Sequence, residues 1–85
     1  MAYGVQFRGR LQPNQTQRWF TYNWPSNYDV AWMVVPTDAQ PGGAAHVTCD
    51  VALERAANNT FTYWLTVQNL TSDSFDFEAR YNFLN

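Results

Sequence analysis

The chain holds no lysine, one cysteine and one histidine among 85 residues. Its five basic side chains are all arginine, set against seven Asp and Glu for a net charge of −2. Without a basic surplus there is no electrostatic footprint for a phosphate backbone and no polybasic stretch for an anionic bilayer, so neither nucleic acid nor a membrane is an expected partner. A lone thiol excludes an internal disulfide or a thiolate metal cluster, and Cys49 lies in an alternating apolar run, which reads as a small buried hydrophobe rather than a reactive nucleophile. No apolar run approaches bilayer-spanning length, and the arginines of MAYGVQFRGR stand where a signal peptide needs its apolar region. The expectation is a soluble chain, either cytoplasmic or a piece of a larger exported protein.

The motifs of catalysis are missing as well. There is no Gly-rich phosphate loop, nucleophile elbow or Cys–His pair, so no enzyme and no cofactor are expected. His46, Asp50 and Glu54 fall on one face of a candidate strand by their even spacing, yet residues four apart in a strand are roughly 13 Å apart, too far to share an ion, so no metal is expected either. Asp50, Asp76 and Glu78 are placed around Trp64 on an outer sheet face, where nothing would bury an acid and raise its pKa, so they read as a solvated surface. The Asn-x-Thr triplets at Asn14, Asn58 and Asn69 have the form of glycan acceptors, but all three sit at expected turns, where Asn and Thr are favoured for backbone hydrogen bonding.

What the chain has in plenty is aromatics, 18% of its residues, within a 46% apolar composition. They recur with period two, the mark of half-buried strands. Tyr3–Leu11 alternates, a second strand ends at Trp24-Pro25 because proline cannot donate to a ladder, and Tyr28–Val35, His46–Arg55, Phe61–Asn69 and Ser74–Leu84 follow. Turn chemistry separates them at Gln12–Gln15, Asn58-Asn59 and Leu70–Asp73, with Pro41-Gly42 read as a type II turn inside the Pro36–Ala44 loop. With no helical period anywhere, the sequence predicts an all-β fold, a single domain over residues 1–85, built as a small antiparallel β-sandwich or barrel of about six strands.

Face matching predicts a hairpin from the first two strands, with Phe7 opposite Phe20, Val5 opposite Tyr22 and Arg8 over an exposed Trp19. It predicts a second hairpin with Leu53 opposite Tyr63 and Val51 opposite Leu65, joined by an odd number of loop residues. The expected core is Val5, Phe7, Phe20, Trp32, Val51, Phe61, Leu65, Phe77 and Tyr81. The strand over Tyr28–Val35 is apolar on both faces, so Ala31, Met33 and Val35 are expected to meet a second subunit, making the protein a homo-oligomer and most simply a dimer.

Exposed Trp and Tyr beside Asn and Asp suit a sugar, whose apolar ring face stacks on an aromatic while amides and carboxylates take its hydroxyls. Trp24, Asn27, Tyr28 and Asp29 in one loop, with Trp64 on a sheet face, are the expected ligand-binding residues of a non-enzymatic, lectin-like, carbohydrate-binding module whose partner is a saccharide or glycan. The alternative is a structural or protein-interaction subunit whose aromatics are consumed in oligomer contacts, since Trp, Tyr and Arg are also the residues of protein interfaces. The segment TYWLTVQNLTSDSFDFEARY, Thr62–Tyr81, resembles the closing hairpin of small bacterial immunoglobulin-like or lectin-like β-sandwich modules, in which a strand ending in Val-x-Asn-x-Thr turns into one ending in an aromatic. The resemblance implies a sandwich and carries no site residues with it. The chain departs from true immunoglobulin domains in lacking their Cys–Trp–Cys framework.

Overall fold

A computed structural model describes residues 3–38 and 44–84. Six strands run in chain order: β1 (Tyr3–Leu11), β2 (Thr16–Pro25), β3 (Val30–Pro36), β4 (Val47–Arg55), β5 (Thr60–Asn69) and β6 (Phe75–Phe83). They form two three-stranded antiparallel sheets, sheet A in the order β1-β6-β3 and sheet B in the order β2-β5-β4, packed face to face as a small sandwich of 46 × 25 × 14 Å. The Pro41-Gly42 turn lies outside the described residues.

The hairpin of β4 and β5 has the expected register, Leu53 opposite Tyr63 and Val51 opposite Leu65, with Ala52 opposite Trp64. Counted between the last cross-strand partners, Arg55 and Phe61, the loop holds an odd number of residues, as expected. Ala56 N–H bonds the Thr60 carbonyl, Asn59 N–H bonds the Ala56 carbonyl, and Asn59 takes the left-handed φ of 61° that an Asn tolerates.

The other two expected hairpins are corners instead. β1 pairs with β6 and β2 with β5, so the chain crosses between sheets at Gln12–Gln15, and the segment Thr62–Tyr81 likewise divides between sheet B and sheet A. Hydrogen bonding shows why. Asn14 N–H donates to the Thr71 carbonyl and the Gln15 carbonyl accepts from Asn69 N–H, so the first turn spends its backbone groups on the last corner rather than on a ladder of its own. Asn69 sits at the centre of this knot, fully buried, donating through Nδ2 to the carbonyls of Gln12 (3.0 Å) and Asp73 (2.8 Å) while Oδ1 accepts from the backbone N–H and hydroxyl of Thr71.

Losing the first hairpin inverts the face of β2. Trp19 points inward and packs on Phe7 (4.9 Å) and Phe77 (5.3 Å), while Phe20 points out. Arg8 pairs with Glu78 rather than Trp19. Phe20 is therefore a surface residue at 58% exposure; Val5, on the outer side of sheet A, is 36% exposed, and Val51, on the inner side of sheet B but uncovered, 46%, so all three leave the expected core, while Leu65 and Phe77 are buried as expected. One end of the interior is Leu11, Val34, Val67, Phe75, Phe77 and Ala79.

The other end is aromatic: Trp24 meets Trp32, Tyr63, Tyr81 and Phe83 at centroid distances of 5.3–6.1 Å, mostly edge to face. Two glycines of β1 make room for rings of β6, one at each end of the interior. A Cβ on Gly4 would stand 2.6 Å from the Tyr81 hydroxyl oxygen and one on Gly9 3.0 Å from the Phe77 ring, so each bare backbone is roofed by an aromatic of the neighbouring strand.

Candidate functional site

The outer face of sheet B carries an aromatic row that no other part of the described surface matches. From β2 come Arg18, Phe20 and Tyr22; from the central strand β5 comes Trp64, directly opposite Phe20; from β4 come Ala52 and Glu54. Phe20 stacks on Trp64 at 5.1 Å and 30°, and Tyr22 continues the stack at 6.1 Å and 27°. Arg18 closes the other end with its guanidinium carbon 4.8 Å from the Trp64 ring centre. The order is guanidinium, indole, phenyl, phenol, with Phe20 and Tyr22 at 58% and 63% exposure.

A β-bulge builds the row. Thr21 pairs with Tyr63 and Trp24 with Phe61, so two residues of β2, Tyr22 and Asn23, stand against one of β5, and Asn23 takes a φ of 66°. Strict alternation would put Phe20, Tyr22 and Trp24 on one face. The extra residue leaves the first two outside and turns Trp24 in, where its Nε1 donates to the Thr21 hydroxyl (3.0 Å). Ala52, the small neighbour of Trp64 on β4, leaves room for the indole. The Trp64 Nε1 donates to Glu54 Oε1 at 2.9 Å, which fixes the plane of the ring. Apolar ring surface thus lies between one carboxylate and one guanidinium, with the Tyr22 hydroxyl at its open end.

Of the residues expected to bind a ligand, only Trp64 belongs to this surface. Trp24 is a correction: it is the hub of the interior aromatic cluster, because the bulge reverses its side. Tyr28 leans on Phe83 at 5.2 Å and the Asp29 carbonyl accepts from Leu84 N–H, so the loop carrying Asn27, Tyr28 and Asp29 closes the aromatic end of the sandwich. Beneath it, burial pushes the Tyr63 phenol upward in pKa, with the Asp29 charge adding to the effect. Asp76 and Glu78, expected near Trp64, lie on the outer face of sheet A instead. Arg18, Phe20, Tyr22 and Glu54 went unrecognised as a group; the available signal was the outward side of Trp64 on β5, which makes whatever pairs with it part of the same surface.

The outer face of sheet A is chemically different. Tyr3 and Val5 on one side and Ala31 and Met33 on the other wall a shallow cleft of about 590 Å³, with Glu78 and Arg80 along its floor. Glu78 accepts from Arg8 (2.9 Å) and Arg80 (3.1 Å), and these bonds hold its carboxyl below the ordinary value of 4.5. The stability it contributes is complete above pH 4.5 and is lost as the pH falls through its depressed value. A carboxyl-detected NMR titration should put the Glu78 midpoint below 4.5, and Arg8→Gln should move that midpoint up. Cys49 is half-buried against the core, and burial first, then Asp50, raises its pKa, so the thiol stays protonated and inert. No group of three or more His, Cys, Asp or Glu side chains is placed to hold an ion among the described residues. No helix long and apolar enough to cross a membrane is present among them.

Compared with protein families, with curated proteins and with solved structures, the chain finds no match.

Proposed function

We propose that the domain is a non-enzymatic carbohydrate-binding module whose platform is the row Tyr22–Phe20–Trp64, flanked by Arg18 and Glu54. The observation that carries this reading is the pre-stacked row itself, with Phe20 and Tyr22 exposed and Trp64 half-buried beside them. Three aromatic side chains held in register across two strands are already ordered, so little rotamer freedom is lost when a ligand lands on them. Their C–H and ring surfaces suit the apolar face of a pyranose, and the carboxylate and guanidinium at the margins offer an acceptor and donors for its hydroxyls. A single arginine beside Glu54 and Asp50 gives no positive field, which disfavours a polyanionic ligand. A sheet surface of this kind binds weakly per site and gains from repetition.

Screening a panel of neutral oligosaccharides by glycan array and calorimetry tests the proposal. Phe20→Ala should weaken binding about tenfold, the equivalent of ~1.4 kcal/mol, with Tyr22→Ala close behind, and leave the thermal midpoint nearly unchanged because both side chains face water. Absence of binding to every saccharide by the folded protein would reject the reading.

A further inference from the structure

Four strand edges border the two sheets, and three carry features that discourage another strand from pairing there. β1 is interrupted by a bulge between Val5 and Phe7. β2 has the Tyr22–Asn23 bulge and ends in Pro25. β3 is seven residues long and ends in Pro36. β4 has none of these: nine residues, VTCDVALER, without proline, glycine or bulge, in unbroken register from Val47 to Arg55. It also presents apolar side chains that sheet A leaves uncovered, Val51 at 46% and Leu53 at 55% exposure, although both point to the inner side of sheet B.

We propose that a second copy of this chain pairs antiparallel with β4, across a two-fold axis at Val51, to make one six-stranded sheet. The phase of the ladder permits it. His46 and Ala56 direct their backbone groups to β5, through Leu70 N–H to the His46 carbonyl and Ala56 N–H to the Thr60 carbonyl. By alternation the backbone groups of Val47, Cys49, Val51, Leu53 and Arg55 point away from β5, to an edge on which no strand of the described residues lies. A two-fold at Val51 sets Val51 against Val51 of the second copy, Cys49 against Leu53 and Val47 against Arg55, all on the inner side, with Asp50 against Ala52 and Thr48 against Glu54 on the outer. Moving the axis to Ala52 opposes Asp50 to Glu54 twice, and moving it to Asp50 opposes that residue to itself, both like-charge pairs. Axes at Cys49 and at Leu53 both shorten the ladder, since each lies off the middle of β4. Like charge rules out the axes at Ala52 and Asp50, and ladder length favours Val51, the midpoint of β4, over Cys49 and Leu53, so one register is selected. The Ala31–Met33–Val35 face, where a second subunit was expected, faces outward with Met33 at 60% exposure, on the opposite sheet from this pairing, which makes no use of it.

An axis perpendicular to the sheet keeps both outer faces on one side. The two Trp64 rows then lie three strand spacings apart, about 14 Å, on one continuous surface. The pairing itself does not depend on what that surface binds.

Sedimentation velocity at high micromolar concentration should give the wild type twice the 9.8 kDa chain mass. Val51→Pro removes a donor that points only to the free edge, and Leu53→Lys charges the seam; both should sediment as monomers with unchanged circular dichroism, while Met33→Glu stays dimeric. In a Cys49→Ala background, Asp50→Cys with Ala52→Cys should form a disulfide-linked dimer on mild oxidation, since these positions face each other at the close, non-hydrogen-bonded spacing. A monomeric wild type, or a dimer that survives Leu53→Lys and is dissociated by Met33→Glu, overturns the proposal.

Discussion

Asn69→Ala should destabilise the domain by roughly 3 kcal/mol, far more than a surface asparagine would. The side chain is fully buried and uses both donors and its acceptor oxygen, on Gln12, Asp73 and Thr71. Alanine strips a partner from each of these groups at a position that is itself fully buried. Two groups have another partner, since Gln12 O also accepts from Gln15 N–H and the Thr71 hydroxyl, freed from Asn69, can turn its one proton to Asp73 O, which holds the cost below the sum of four separate losses. Asn69→Asp separates geometry from shape: it preserves volume and the bond from Thr71, yet brings a carboxylate against two carbonyl oxygens. It should be at least as damaging as alanine at neutral pH. Urea titration of the three proteins measures this, and a cost below about 1 kcal/mol for alanine would mean the corners are held by something else. The same burial excludes Asn69 as a glycan acceptor in the folded protein.

Trp24→Ala should cost ~3–5 kcal/mol, which consumes most or all of the stability of a domain this small. Trp24 touches four other rings, and β3, β5 and β6 each send at least one aromatic to it. Removing the indole leaves a void at the aromatic end of the sandwich, where the Trp32 Nε1 is already buried without a partner among the described residues. Trp24→Phe, which retains much of the volume and loses the bond to Thr21, should fold with a reduced thermal midpoint. Saccharide affinity should be unchanged in the Phe variant, because Trp24 faces away from the platform.

How much of this was legible in the sequence follows from where each piece of information resides. Strand positions are local, and the alternation placed all six. The β4–β5 register is nearly local too, because a short Asn-rich loop joins two strands whose apolar faces match in only one way. The pairing of β2 is not local. Thr16–Pro25 carries aromatics on both sides, Trp19 against Phe20 and Tyr22, so alternation alone cannot say which set is buried. The answer depends on β5, some 45 residues away along the chain, and on a bulge at Tyr22–Asn23 that has no glycine to announce it. Pairing β2 with β1 hid Phe20 and Tyr22 on the expected inner face, and counting Trp24 with the loop after Pro25 put it outside; the bulge is what sets Trp24 on the opposite face from the other two. Trp64 was placed correctly because β5 alternates without interruption.

The most direct test of the platform is the indole and aromatic NMR spectrum during titration with the best saccharide from the array. The account predicts that the Trp64 Nε1–H and the ring resonances of Phe20 and Tyr22 shift together with one dissociation constant, while the Nε1–H signals of Trp24 and Trp32 stay where they are. Shifts confined to Trp24 and the Asn27–Asp29 loop, with Trp64 unmoved, would contradict it.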